Sequence, residues 1–69
     1  MEIIQVESSN IDSIGYDEKS STLLIGYKNG RSYHYYDVSA EIYEEFKNAV
    51  SKGKFFWAKI NKKYNYKEI

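Results

Sequence analysis

The sequence predicts an α+β fold in which a small antiparallel sheet of three to four strands, wound as a meander, is followed by two C-terminal helices packed on one face. Three observations carry this reading. Apolar and aromatic residues alternate through Leu23, Ile25 and Tyr27, and an Asn29-Gly30 turn signal joins that run to the tyrosine-rich Arg31 to Val38. Further on, Ile42, Phe46, Ala49 and Val50 recur at helical spacing. Proline is absent, glycine appears only 4 times, and no repeat or low-complexity stretch intervenes, so the 69 residues read as a single domain, 1–69, with short turns.

Taken in order, Ile3 to Val6 is a short β-rich run, Ser8-Ser9-Asn10 a turn or cap cluster, and Ile11 to Tyr16 a strand with Ile14 and Tyr16 on one face. Asp17 to Ser21 forms a polar loop before the hairpin. Two hairpin registers compete. A two-residue type I′ turn at Asn29-Gly30 pairs Ile25 with His34 and Leu23 with Tyr36, which puts Ser32 and His34 among apolar residues without partners. A three-residue loop, Lys28-Asn29-Gly30, with Gly30 left-handed in a G1 bulge, pairs Ile25 with Tyr33 and Leu23 with Tyr35 instead. We prefer the second register. It gathers Ile14, Tyr16, Leu23, Ile25, Tyr27, Tyr33 and Tyr35 on the core side and leaves Leu24, Gly26, Ser32, His34 and Tyr36 on the other.

Ser39 is suited to cap the first helix, with Glu41 and Glu44 near its positive end. Gly53 is placed to end it in a left-handed cap. A second helix is expected from about Lys54 to Tyr64. At 100° per residue Phe56, Trp57, Ile60 and Tyr64 share its packed side, whereas Phe55, Lys59 and Lys62 share the opposite one with Lys63 at the edge. Phe55 is then an aromatic between lysines on a solvated face, suited to stack on a base.

Composition excludes several functions. There is no cysteine and one histidine, His34, so neither disulfides nor the usual thiolate and imidazole metal clusters are expected. No glycine-rich phosphate loop, telling carboxylate pair or serine with an available base is present, and a lone outward His34 has no orienting carboxylate, so catalysis is not expected. The N-terminus has no basic, apolar leader and no run is long enough to span a membrane, which predicts a soluble cytoplasmic protein without a cofactor. The charge is balanced overall but divided along the chain: residues 1–45 carry nine acidic and three basic side chains, residues 46–69 one acidic and seven basic. Lysines interleaved with aromatics are what a nucleic-acid strand can use.

The succession Ser9-Asn10-Ile11, Ile14-Gly15-Tyr16-Asp17, Thr22-Leu23-Leu24-Ile25, Asn29-Gly30, Tyr33-His34-Tyr35-Tyr36-Asp37-Val38 and Ser51-Lys52-Gly53 resembles the KTSC domain family across nearly the whole chain. That family occurs at the C-terminus of some lysyl-tRNA synthetases and as free-standing bacterial and phage proteins. Its mark is a central Tyr-x-Tyr, here Tyr33 and Tyr35, which the preferred register makes core-facing. The resemblance implies RNA binding. The chain departs from the family's pattern in having Ser39 where proline is usual, and Trp57 with lysines where asparagine and arginines are frequent, which keeps positive charge but loses bidentate phosphate geometry.

The expectation is therefore a non-catalytic domain that binds RNA or another single-stranded nucleic acid weakly through Lys52, Lys54, Phe55, Lys59, Lys62 and Lys63. The alternative is a protein-interaction or self-association module with no nucleic-acid role, in which the acidic and basic halves meet separate partners or each other as a homo-oligomer.

Overall fold

In the computed structural model, which describes residues 2–69, the antiparallel sheet has five strands rather than the three to four expected. Met1, the first residue of the predicted 1–69 domain, lies outside the described residues. The strands are β1 (Glu2–Gln5), β2 (Ile11–Asp17), β3 (Thr22–Tyr27), β4 (Ser32–Tyr35) and β5 (Tyr66–Glu68), in the order β1-β2-β3-β4-β5. Helices α1 (Ala40–Asn48) and α2 (Lys52–Phe55) lie between β4 and β5, and α2 runs directly into a π-helical turn, Phe56–Ile60. The α+β class and the meander stand. The additional strand is β5, which pairs with β4 through Tyr33↔Glu68, His34↔Lys67 and Tyr35↔Tyr66. Its ends are fastened by Tyr36 N–H donating to Asn65 O at 2.9 Å and Ile69 N–H to Ser32 O at 2.9 Å.

The β3–β4 hairpin adopts the second register, with Ile25 opposite Tyr33 and Leu23 opposite Tyr35. Gly30 sits at φ 90, the left-handed region that a bulged three-residue loop requires, and Tyr27 N–H closes the loop on Arg31 O at 2.8 Å. Strand β2 contains an irregularity the alternation did not reveal. Ile11 and Ile14 are three residues apart, so strict alternation would send them to opposite faces, yet both are buried. A register shift between Ile11 and Ser13 absorbs the extra residue and turns both side chains inward.

Ile11, Ile14, Leu23 and Ile25 form the sheet side of the core, and Val38, Phe46, Phe56 and Ile60 close it from above. Ring contacts extend it: Tyr16 stacks on Tyr43 of α1 at 5.0 Å, and the Tyr16 hydroxyl donates to Val38 O. Buried aliphatic and aromatic side chains each remove roughly 1.5–3 kcal/mol worth of apolar surface from water, and a core of this kind supports a domain with no cross-link.

The helical half requires three corrections. Helix α1 begins as expected, with Ser39 Oγ accepting from Ile42 N–H at 3.2 Å, but it ends at Asn48. Ala49 is extended, and Val50 is fully exposed rather than part of the apolar stripe. Gly53, expected as a left-handed cap, instead lies within α2. Ser51 is the reason: its Oγ accepts from Lys54 N–H at 3.3 Å, so the chain starts a new helix where the sequence suggested the old one stopping.

The phase and length of the second helix also differ. Asn61 N–H donates to Phe56 O at 2.7 Å, an i→i+5 bond that widens the turn and shifts which residues face the core. Phe55 and Phe56 both point inward, Phe55 stacking on Phe46 at 5.4 Å and 19° while Phe56 meets Tyr35 edge-on at 5.7 Å. Trp57 is 65% exposed instead of packed. The helix stops at Ile60, short of Tyr64, because Asn61 leaves the helical conformation at ψ 125 and Lys62 then turns the backbone left-handed at φ 63. No helix among the described residues is long and apolar enough to cross a membrane.

Candidate functional site

The structure separates the lysines that the sequence groups together. Lys52 donates from Nζ to Ala49 O at 2.6 Å, so its ammonium serves the exposed carbonyl end of α1. Lys54 lines a groove of about 550 Å³ with Trp57, Ser9 and Asn10. Lys59 is exposed on the π-helical turn. Lys62 and Lys63 lie beyond the helix in the turn leading to β5, beside Tyr36, Asp37 and Tyr64. Phe55 is half-buried against Phe46 and therefore has a packing role that the helical wheel denied it. Two other basic side chains of the C-terminal third face elsewhere. Lys47 is held by Glu44 at 3.1 Å and lies over the Tyr43 ring, and the carboxylate raises its pKa above the usual lysine value. Lys67 is opposite His34 on the outer face of the sheet.

A second feature emerges only in three dimensions. Phe46 of α1 and Phe56 and Ile60 of the π-helical turn belong to the core against the sheet, while toward β5 the rings of Tyr27, Tyr33, Tyr35 and Tyr66, with Phe56, wall an open cleft of about 330 Å³. Asn29, Asn61 and Lys62 complete the lining. The rings brace one another, Tyr27 edge-on to Tyr33 at 5.6 Å and Tyr33 tilted on Tyr66 at 5.8 Å. The Tyr27 and Tyr35 hydroxyls are 3.0 Å apart. Burial, reinforced by the bond to Tyr35, pushes the Tyr27 hydroxyl far above the ordinary tyrosine range, and burial raises Tyr35 as well. Both hydroxyls therefore stay protonated at physiological pH. Lys62 borders this cleft and also the neighbouring depression that contains Lys63.

Tyr27, Tyr33 and Tyr35 share one face, as the alternation in the sequence predicts. Tyr66 joins them through β5, a strand that no alternation in the sequence marks. His34 lies across from Lys67 and edge-on to Tyr36, neither of which is a carboxylate that could orient it as a base. Among the described residues no group of three or more His, Cys, Asp or Glu is placed to hold a metal ion.

The family profile described as KTSC domain matches residues 7–64. The chain belongs to the KTSC domain family. A KTSC domain protein from Yersinia pestis, solved by crystallography, superposes with a TM-score of 0.93 at 38% identity, covering 99% of this chain and 96% of that one. A lysine–tRNA ligase of Nostoc punctiforme is 31% identical over 67 residues, 97% of this chain and 12% of the ligase. The KTSC domain thus spans about an eighth of the length of such ligases. A protein of Tsukamurella paurometabola is 38% identical over 50 residues, 72% of this chain and 75% of its own length. The profile's limits enclose β2, β3, β4 and both helices of the KTSC domain, and leave β1 and β5 outside.

Proposed function

We propose that this KTSC domain is a non-catalytic module that binds RNA or another single-stranded nucleic acid weakly, through the surface of α2, the π-helical turn and the turn that follows. The observation that carries the reading is the exposed indole of Trp57, which shares a groove with Lys54, in a stretch of chain whose Lys59, Lys62 and Lys63 are exposed as well. Lysines neutralise phosphates while an exposed ring stacks on a base irrespective of its identity. Trp57 takes the stacking role that the sequence assigned to Phe55, and Lys52 contributes by charge while its Nζ holds α1. The relationship to a lysine–tRNA ligase, an enzyme named for a tRNA substrate, supports the same partner class.

Titration of a fluorescently labelled single-stranded RNA at two salt concentrations tests this. Affinity should fall as salt rises, with a log–log slope of about −0.7 per phosphate contacted, and Trp57→Ala should weaken binding. Absent or salt-insensitive binding by the wild type refutes it. Light scattering across protein concentration tests the competing self-association reading, which requires oligomers that dissolve as salt rises.

A further inference from the structure

We infer that the tyrosine cleft takes the purine base of a nucleotide, with its phosphate on Lys62. The inference rests on the nucleic-acid reading above and adds to it a defined subsite, distinct from the helix surface of Lys54, Trp57 and Lys59.

The first argument is size and shape. A volume of about 330 Å³ lies at the small end of ligand clefts, which run from roughly 300 to 1,000 Å³, and so suits one nucleotide rather than a folded partner or an extended peptide. Its walls are aromatic, and the outermost ring, Tyr66, is 61% exposed. A base can therefore lie on that ring without prying the others apart.

The second argument is polarity. Two hydroxyls bonded to each other use one of their two hydrogens, so the Tyr27–Tyr35 pair retains one O–H that can donate to a ligand acceptor. Packing alone would be served by phenylalanine. The side-chain amides of Asn29 and Asn61 line the same cleft and offer both donors and acceptors to a base edge.

The third argument is charge. Lys62 is the one charged side chain among the lining residues, so the ligand that fits best is anionic. Glu68, which shares the strand face with Tyr33, is drawn aside toward Arg31 at 4.0 Å. An aromatic wall, a spare hydroxyl donor and a single cation at the rim together match a nucleoside monophosphate. Preference among bases should follow stacking area, which favours purines over pyrimidines modestly.

The experiment is an NMR titration of the ¹⁵N-labelled domain with AMP, UMP and ribose 5-phosphate, alongside the RNA titration above. AMP should shift the amides of Tyr27, Tyr33, Tyr35 and Tyr66 saturably, UMP should bind several-fold more weakly, and ribose 5-phosphate should leave those amides unmoved. Tyr66→Ser, on an exposed edge strand, should lower AMP affinity at least tenfold with the rest of the spectrum retained. Lys62→Ala should weaken AMP while leaving adenosine binding unchanged. Equal shifts from ribose 5-phosphate, or AMP binding indifferent to both variants, overturn the inference. If RNA binds and AMP leaves the cleft unperturbed, the cleft assignment falls and the surface reading stands; if AMP binds in the cleft and RNA does not bind, the surface reading falls instead.

Discussion

Replacing Lys62 with glycine should make the domain more stable and a poorer nucleic-acid binder at once. Lys62 is held at φ 63, where a Cβ crowds the following carbonyl at a cost of about 1–2 kcal/mol. Glycine removes that strain but adds freedom to the unfolded chain, which returns about 0.4–1 kcal/mol. The expected net gain is roughly 0.5–1 kcal/mol, a rise in Tm of about 2–8 °C for a domain of this size. The same change removes one ammonium from the border between the tyrosine cleft and the Lys63 depression. The salt slope of RNA binding should then become shallower by about 0.7. Lys62→Ala is the control: it loses the charge and keeps the strain, so the slope should change equally while Tm does not rise. Thermal melts followed by circular dichroism and RNA titrations at several salt concentrations read both effects. A fall in Tm for Lys62→Gly would refute the backbone argument, and an unchanged slope would remove Lys62 from the phosphate site.

Trp57→Ala should alter stability by less than about 0.5 kcal/mol, since the ring is exposed, while reducing RNA affinity by the roughly 1–3 kcal/mol typical of one stacked base; melts and titrations of the same sample separate the two. Phe55→Ala should destabilise by about 1–3 kcal/mol through loss of the Phe46 stack, a shift that urea denaturation measures directly. Ser51→Ala should cost about 1 kcal/mol by removing the cap of α2, and a stability equal to wild type would show that Lys54 N–H finds another acceptor. Alkaline pH gives the remaining prediction. Burial, with the Tyr35 bond, raises the Tyr27 pKa in the folded state, so above about pH 10 the unfolded chain gives up a proton that the folded one retains. That contribution is complete below the unfolded value and is lost as pH climbs beyond it. Urea melts between pH 8 and 11 should show wild type weakening more steeply than Tyr27→Phe.

The first half of the fold was legible because it obeys period two. Leu23, Ile25, Tyr33 and Tyr35 alternate cleanly, and the penalty for burying Ser32 and His34 is enough to choose between the two registers. The bulge in β2 was not legible, since nothing in Asp12-Ser13 distinguishes an extra residue from ordinary alternation. The helices exposed the limits of a uniform 100° wheel. A serine three residues before an amide donor is as good a start signal as Ser39, yet Ser51 stood in what looked like the last turn of the preceding helix. Once α2 begins there and relaxes into a π-helical turn, Phe55 rotates inward and Trp57 outward. The site was legible in charge and composition, and illegible in arrangement: Lys52 is occupied with Ala49 O, and the tyrosine cleft depends on Tyr66, which belongs to a three-residue strand with no pattern of its own.

That strand also bears on how the molecule forms and breathes. Every other strand pair in the sheet joins neighbours along the chain through a short connection, whereas β4 and β5 meet only after both helices have been traversed. The local pairs can therefore zip early, and closing the long loop that brings Tyr66 to Tyr35 comes last. All three residues of β5 are exposed, so detaching it uncovers little apolar surface and leaves the Ile14–Phe46 interior intact. Amide protons at Tyr36 and Ile69 should consequently exchange well before those of β2 and β3, and their protection measures the free energy with which one wall of the cleft opens.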